Sequence, residues 1–319
     1  MRLERLMRWR RAPAPNERTP DSPDGTSGNE GIDDAFLGRL RRASLVSQRR
    51  LTTALTGEHD GPRKASALEF ADYRSYTPGD DFRRVDWNAY LRLDHLLVKV
   101  ADAPERVALH ILLDGSQSME WGSPNKFSYG RRLAIGLAYV ALSHMDTANL
   151  MLLRDAECAP VSSQESPRAT PALVRAAMSL RPEGTTNLDA ALHAFTREET
   201  RSGVVVLISD LLSPSGCQAG LDRLSRASLR PVVIHLLSPE EVNPTLDGDL
   251  ELEDVETGET VQVSMDWSTK ARYRHWVQDW LREIEQFCAS RDISYLRVET
   301  SQPVEELLLG RLRRERVLK

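Results

Sequence analysis

Apolar runs alternate with helical patterns over the last two thirds of the chain, and this alternation restricts the fold more than any other feature. The runs typical of buried strands lie at 107–113, 149–154, 204–209, 232–237 and 293–298. The segments with apolar residues at helical spacing lie near 127–145, 171–179, 188–195, 216–227, 267–290 and 303–316. Continuous apolar strands separated by helices predict a mostly parallel sheet with helices on both faces. Residues 106–319 are therefore predicted to form a doubly wound, Rossmann-type α/β domain.

Two segments between the fourth and fifth of these runs follow a different rule. Residues 250–255 and 259–264 alternate apolar and polar side chains on either side of Thr257-Gly258. Such alternation around a turn is typical of a half-exposed β-hairpin. We therefore expect a hairpin to be inserted near 248–265.

The chain ahead of this domain divides into two parts. Residues 13–31 are rich in proline, glycine, serine and acidic side chains, so residues 1–31 are predicted to be a disordered leader. Helical spacing returns at 33–55, and residues 70–100 show short strand patterns and turns. Residues 32–105 are therefore predicted to form a helical and β-rich N-terminal subdomain.

Charge and cysteine content narrow the class of protein. The net charge of −5 and the pI of about 5.9 argue against a nucleic-acid partner, because a phosphate-binding surface needs excess basic residues. The three cysteines, Cys158, Cys217 and Cys288, form no CxxC pair and no Cys/His cluster. They are interpreted as buried thiols in a reducing cytoplasm, with neither a disulfide framework nor a zinc site.

The sequence predicts a cytoplasmic location. No apolar run approaches the roughly 20 residues that a transmembrane helix needs, and the N-terminus has no apolar core typical of a signal peptide. Leu3, Leu6, Met7 and Trp9 lie among arginines and leave a weak possibility of peripheral membrane contact. A solvated tail is the favoured interpretation, because so short an amphipathic segment is marginal as a helix.

Three polar segments follow predicted strands or precede a helix. Asp114, Ser116 and Ser118 come after the first strand, Thr186 lies ahead of a helix, and Asp210 follows the run 204–209. Ligands of open parallel sheets bind beyond the carboxyl ends of the strands, at the switch point of the topology. Carboxylate and hydroxyl oxygens suit hard ions, so the sequence predicts a site for Mg²⁺, or for Mn²⁺ or Ca²⁺. Thr185 is an alternative for the second segment.

This pattern resembles the metal-ion-dependent adhesion site of von Willebrand factor A domains. The resemblance assigns Asp114, Ser116 and Ser118 to the first motif, Thr186 to the second and Asp210 to the third. It implies a von Willebrand A-like fold. It also implies a non-enzymatic protein–protein interaction module whose partner offers an Asp or Glu carboxylate to the metal.

A second resemblance lies ahead of the sheet. Residues 73–81, Arg83, 85–87 and 97–99 are similar to a bacterial family catalogued as domain of unknown function fifty-eight. The resemblance runs from about Glu69 to the last predicted helix, and it implies a MoxR-type AAA+ ATPase as a partner.

The same segment can be interpreted from its residues alone. An ion-pair network of Asp80, Asp81, Asp86, Arg83 and Arg84 beside a packed aromatic anchor at residue 87 is favoured. A partner-docking surface is the alternative.

Enzymatic alternatives find weaker support. An esterase would use Ser116 or Ser118 with His110 or His144, but the loop is not GxSxG. A phosphatase with Asp114 as nucleophile would normally need a second acidic residue two positions later, where this chain has Ser116. It would also need a lysine, which the pattern does not identify. No GxxxxGK[ST] segment for ATP is present.

The chain is therefore expected not to be an enzyme. A metal-assisted hydrolase and a structural scaffold with a vestigial metal site are left as alternatives. His110 and His235 lie inside apolar strands and are interpreted as core histidines.

Overall fold

The computed structural model describes the chain in segments. The described residues are 9–11, 38, 72–78, 80–82, 85–100, 107–198, 202–245, 248–254 and 260–311. The chain divides into a smaller unit, Arg50–Arg106, and a larger unit that comprises the rest. Most of the predicted leader 1–31 and the predicted helical segment 33–55 lie outside the described residues.

Strands and helices alternate along the larger unit as the pattern predicts. The strands are β1 (Trp9–Arg11), β2 (Asp72–Ser75), β3 (Leu97–Val100), β4 (Ala108–Asp114), β5 (Thr147–Arg154), β6 (Glu157–Gln164), β7 (Gly203–Ser209), β8 (Leu229–Leu237), β9 (Gly248–Asp254), β10 (Thr260–Met265) and β11 (Ser294–Glu299). The helices are α1 (Trp87–Leu93), α2 (Lys126–Ser143), α3 (Thr170–Met178), α4 (Leu188–Glu198), α5 (Gln218–Arg226), α6 (Pro239–Val242), α7 (Trp267–Ala289) and α8 (Val304–Glu306).

A six-stranded sheet forms the centre of the larger unit. Its strand order is β11-β8-β7-β4-β5-β6, and every neighbouring pair is parallel except β5 and β6. The chain moves outward from β4 through β5 to β6 and then crosses to β7 on the other side of β4. The switch point of the topology therefore lies between β4 and β7. The predicted fold class, a doubly wound and mostly parallel sheet, is confirmed.

Helices cover both faces of this sheet. Leu109, Ile111 and Leu113 of β4 belong to a buried cluster that includes α2 and α3. Leu112 belongs to the opposite cluster, with residues of α4, α5 and α7. Successive side chains of a strand point to opposite faces, so an uninterrupted apolar strand needs a helical layer on each side. The two layers hold β4 and β7 rigidly and fix where their carboxyl ends lie.

The inserted hairpin is confirmed with small changes in its bounds. β9 and β10 pair antiparallel, with Gly248 opposite Met265 at one end of the ladder. β1 adds a third strand, with Trp9 opposite Asp254. This strand lies within the predicted leader 1–31, where a solvated tail was the favoured interpretation, and pairing with β9 gives the short segment backbone hydrogen bonds that it cannot make alone.

Among its described residues, the smaller unit contains a two-stranded sheet and one short helix. β2 and β3 pair antiparallel, and Asp86 caps α1 by accepting hydrogen bonds from the backbone N–H groups of Asn88 and Ala89 at 3.0 and 3.2 Å. Trp87 is 54% exposed and meets Tyr90 edge to face with ring centroids 6.3 Å apart. The prediction that Trp87 is a packed anchor is therefore wrong, because the first turn of α1 presents this ring to the surface.

Two other elements differ from the sequence prediction. β6 was not predicted, because half of its side chains are polar and all of them are exposed or partly exposed at the edge of the sheet. The predicted helix at 303–316 is a short helix, α8, that widens into a π-helical turn at Leu307–Arg311, while 312–319 lie outside the described residues. Within the described ranges, no helix combines the length and the apolar character needed to cross a membrane.

Candidate metal centre

The two predicted carboxylates lie at the switch point of the sheet. Asp114 is the last residue of β4, and Asp210 follows the last residue of β7. β4 and β7 are hydrogen-bonded neighbours, with Leu113 opposite Ile208 in the register. The ends of parallel strands meet at the same edge, so the two carboxylates face one crevice. The structure thus brings together two residues that are 96 positions apart in the sequence.

Asp114 is buried, and three neutral groups hydrogen-bond to it. The backbone N–H of Ser116 and the hydroxyl of Thr186 each donate to Oδ1 at 3.0 Å. The hydroxyl of Ser209 donates to Oδ2 at 2.5 Å. Burial, followed by repulsion from Asp210, raises the pKa of Asp114 against these hydrogen bonds. Asp114 has no ammonium or guanidinium partner within the part of the chain that the structure describes.

The first loop is held in place by backbone contacts with the second. The N–H of Gln117 donates to the carbonyl of Gly184 at 2.9 Å, and the N–H of Glu183 donates to that of Gly115 at 2.8 Å. A Cβ at Gly115 would lie 2.9 Å from Leu152 Cδ1, whereas Gly184 adopts a φ of +70°. Gly115 therefore permits close packing, and Gly184 supplies the left-handed backbone.

The second loop distinguishes its two threonines. Thr186 is buried and bonds to Asp114, whereas Thr185 is exposed and contributes its carbonyl to the N–H of Asp155 at 2.9 Å. The N–H of Asn187 returns the contact by donating to the carbonyl of Asp155 at 2.7 Å. This pair of backbone bonds ties the loop to the end of β5, so that one threonine points inward and the next-door threonine points to solvent.

The two serines of the first motif lie side by side. Ser116 Oγ and Ser118 Oγ are 3.0 Å apart, and both residues are buried. The hydroxyl of Ser118 also hydrogen-bonds to the carboxylate of Asp210, and this bond helps to lower the pKa of Asp210. All five predicted metal ligands therefore surround the same crevice.

Asp210 has a cationic partner that the sequence analysis missed. Lys126, the first residue of α2, places its Nζ 2.7 Å from Asp210 Oδ2 and 2.5 Å from Glu241 Oε1. Burial acts to raise the pKa of Asp210, but the charge and hydrogen bond of Lys126 outweigh it, so the pKa is lowered. Burial raises the pKa of Glu241 against the opposing charge of Lys126. The two carboxylates outweigh the effect of burial on Lys126 itself and raise its pKa, so it stays protonated.

His235 connects the same region to the far side of β8. Its Nε2–H donates to the carbonyl oxygen of Asp210 at 3.0 Å, and its Nδ1 accepts from the hydroxyl of Tyr295 at 2.7 Å. Burial lowers the pKa of His235 to about 3, so the imidazole is neutral and both of its nitrogens are used. His235 is buried, as a core histidine was predicted to be, but its hydrogen bonds to Asp210 and Tyr295 were not predicted. His110 is also buried, with Nδ1 3.4 Å from Asn149 Nδ2.

The donor set fits a hard divalent cation. The crevice offers oxygen atoms from two carboxylates and three hydroxyl groups, with no sulfur or imidazole nitrogen among the five predicted ligands. Asp114, Asp210 and Glu241 with Lys126 leave two negative charges when all are ionised, which one divalent cation would balance. Across the described segments, no group of three or more His, Cys, Asp and Glu side chains is arranged to hold a metal. Three of the five predicted ligands are hydroxyl-bearing side chains, which are not among these four residue types.

Two of the missed residues left a trace in the sequence. Ser238-Pro-Glu-Glu241 has the spacing of a capping box, which the structure confirms, since Ser238 and Glu241 cap each other's backbone N–H. Ser209 directly precedes Asp210 at a strand end. Lys126 has no such signal, because a lysine in the first turn of a helix is normally solvated.

Comparison with known proteins finds similar proteins in mycobacteria. Over 290 residues the chain is 27% identical to an uncharacterized protein of Mycobacterium tuberculosis, which covers 82% of this chain and 91% of that protein. Over 80 residues it is 36% identical to an uncharacterized protein of Mycobacterium avium, covering 25% of this chain and 47% of that protein.

Solved structures are similar to this chain at a lower level. The conserved hypothetical protein BatB from Bacteroides thetaiotaomicron is 15% identical with a TM-score of 0.43, covering 66% of this chain and 99% of BatB. The VWA domain of SpRpn10 is 13% identical with a TM-score of 0.37, covering 65% of this chain and 95% of that domain. Similarity of this size carries no conclusion about function.

The family match covers both the smaller unit's described strands and most of the sheet. Residues 72–283 match the family described as "Protein of unknown function DUF58". This range is more than half of the chain and includes β2, all five predicted ligands and most of α7. The chain belongs to the DUF58 family.

Proposed function

We propose that this chain is a non-enzymatic protein–protein interaction module that depends on a divalent metal, with Mg²⁺ the first choice and Mn²⁺ or Ca²⁺ as alternatives. Asp114, Ser116, Ser118, Thr186 and Asp210 would hold the ion. When bound, the ion would supply a positive charge at the edge of the sheet. A partner protein would bind there through an Asp or Glu carboxylate.

The observation that carries this proposal is the state of Asp114. It is a buried carboxylate at the switch point, and all of its hydrogen-bond donors are neutral. Burying a carboxylate without a cation costs several kcal/mol unless its charge is neutralised. The hydroxyl groups of Ser116, Ser118 and Thr186 lie beside the carboxylates of Asp114 and Asp210 and add oxygen ligands without adding charge, so a divalent cation bound here would keep part of its charge for a partner.

Metal titration of the purified chain tests the proposal. Mg²⁺ and Mn²⁺ are expected to raise the melting temperature in proportion to the logarithm of their concentration, and calorimetry should give one site. The D114N variant, which keeps the shape of the side chain, should lose both effects. Absence of any metal response in the wild type would remove the metal from the proposal.

The partner is proposed from the family alone. A MoxR-type AAA+ ATPase is expected to bind this chain in the cytoplasm, and chelation of the metal should weaken the complex. Co-precipitation of the two purified proteins with and without EDTA tests the pairing. If the ATPase co-precipitates equally well with EDTA present and with the D114N variant, the two proteins bind through another surface.

One observation favours a second candidate. Asp210 already has a cationic partner in Lys126, so part of the crevice is neutralised by the protein itself. This is what a structural scaffold with a vestigial metal site would show. A wild-type chain whose stability and partner binding ignore both metal and chelator would support the scaffold. A metal-assisted hydrolase would instead show turnover of an ester or phosphate that is lost in S116A.

A further inference from the structure

We propose that Lys126 is a built-in cation that competes with the divalent metal for Asp210 and keeps the metal affinity low, with Glu241 holding the lysine in place. This inference rests on the metal site proposed above. It gives Lys126 and Glu241 a role in setting the metal affinity, although neither residue is a predicted metal ligand. Low affinity would let the ion, and with it the partner, exchange.

The lysine is positioned from two sides. Its backbone begins α2, where the side chain of Asn125 caps the helix by accepting from the N–H of Ser128 at 2.9 Å. Its Nζ lies between Asp210 Oδ2 and Glu241 Oε1, at 2.7 and 2.5 Å. The side chain of Lys126 is fully buried. The ammonium group therefore has little freedom to leave the site.

Glu241 is fixed independently of the metal crevice. Its Oε2 accepts from the backbone N–H of Ser238 at 2.7 Å, which leaves Oε1 for Lys126. The hydroxyl of Tyr273 on α7 donates to its carbonyl oxygen at 2.8 Å. Because Ser238 holds this carboxylate and Tyr273 holds the backbone behind it, Glu241 stabilises the ammonium without being one of the five predicted ligands.

Burial of Lys126 is energetically unfavourable. Desolvating an ammonium group is strongly unfavourable, and an apolar side chain of similar volume often packs as well or better. The charge of Lys126 therefore needs an explanation beyond packing. Its neighbour Asp210 is the one carboxylate that both the lysine and a bound divalent cation could approach, and two cations that share a carboxylate repel each other.

This arrangement gives opposite signs to two substitutions. Removing the ammonium in K126M leaves Asp210 to the metal and should tighten metal binding. Removing the carboxylate in E241Q leaves Lys126 with Asp210 alone, takes one negative charge from the cluster and should weaken metal binding. K126M/E241Q removes one charge of each sign, so the net charge of the cluster returns to that of the wild type.

Titration calorimetry with Mn²⁺ on the full chain tests the inference. We expect the affinity to rise by about tenfold or more in K126M, to fall by about tenfold in E241Q, and to stay within about threefold of the wild type in K126M/E241Q. D114N serves as the variant without a site. Circular dichroism of each variant confirms that it is folded.

The outcomes separate this inference from the proposed function. Wild-type binding together with unchanged or weaker binding in folded K126M overturns the role of Lys126 alone. Binding by K126M but not by the wild type supports that role and overturns the metal dependence of the natural chain. If neither the wild type nor any variant binds Mn²⁺, both the role of Lys126 and the proposed metal dependence are overturned. If K126M does not fold, E241Q decides, because binding as tight as that of the wild type contradicts competition by Lys126.

Discussion

The hydroxyl of Ser209 donates to Asp114 Oδ2 at 2.5 Å and so joins the last residues of two neighbouring strands. The same hydroxyl accepts from the backbone N–H of Leu211 at 2.9 Å. One serine therefore orients the carboxylate of β4 and also fixes the backbone that carries Asp210. The relative position of the two candidate metal ligands is set by the sheet before any ion binds.

The charge of Asp114 should reduce the stability of the metal-free chain. D114N is expected to raise the free energy of unfolding by about 1 kcal/mol or more without metal, because a buried amide avoids the cost of an uncompensated carboxylate. It should also abolish stabilisation by Mg²⁺. Urea unfolding with EDTA and with Mg²⁺ measures both effects. D155N is the matched control, since Asp155 is exposed at the end of the neighbouring β5, and its response to Mg²⁺ should equal that of the wild type.

Thr186 and Thr185 form a matched pair for testing the second loop. T186A removes the hydroxyl that donates to Asp114, and we expect a loss of about 1 kcal/mol in stability and a weaker response to metal. T185A should change the free energy of unfolding by less than about 0.5 kcal/mol, because that side chain is exposed. Thermal unfolding with and without Mg²⁺ compares the two. Equal effects would show that Thr186 has no special place in the site.

The fold and the clustering of the five candidate residues could be predicted because both depend on short local patterns. Apolar runs such as Val204–Ile208 allow burial on both faces, and residues at the ends of such strands must meet at one edge. The resemblance assigned Thr186 to the second motif with Thr185 as the alternative, and the structure places only Thr186 against Asp114.

The remaining features depend on contacts that no local pattern encodes. Lys126 meets Asp210 and Glu241 across 84 and 115 residues of sequence. A basic side chain in the first turn of a helix gives no sign of such partners. β6 was missed because an edge strand can be polar, and Trp87 was misassigned because an aromatic ring among charged residues can lie on the surface as well as in a core.

Gly115 should be sensitive to any side chain. In G115A the new Cβ would lie 2.9 Å from Leu152 Cδ1 and 3.0 Å from the carbonyl oxygen of Leu153, so we expect a loss of about 1–3 kcal/mol in stability. The displaced loop should also bind metal more weakly. Chemical denaturation and Mn²⁺ calorimetry measure the two effects. G310A is the control, because its Cβ would meet no atom within 4 Å, and a loss there as large as in G115A would contradict the steric explanation.

The neutral His235 makes stability depend on pH. Its pKa is about 3 in the folded chain, chiefly because of burial and despite the attraction of Asp210, with Lys126 and Arg297 opposing the proton. The unfolded chain has an ordinary histidine with a pKa of about 6.5. Between these values the unfolded state binds a proton that the folded state excludes. The free energy of unfolding should therefore fall as the pH falls from about 6.5 towards 3, by about 1.4 kcal/mol per pH unit from this residue.

Replacing His235 isolates this contribution from that of the carboxylates. H235Q cannot take up a proton, so the slope of its unfolding free energy between pH 6 and 4.5 should be smaller than that of the wild type by about 1.4 kcal/mol per unit. H193Q is the control for the substitution itself, because His193 is exposed on α4. Urea unfolding at several pH values gives all three slopes. Parallel curves for H235Q and the wild type would mean that His235 takes up its proton in the folded chain. The hydrogen bond with Tyr295 would then have to reverse, with Nδ1–H donating to the hydroxyl oxygen, since a protonated imidazole has no acceptor nitrogen to offer.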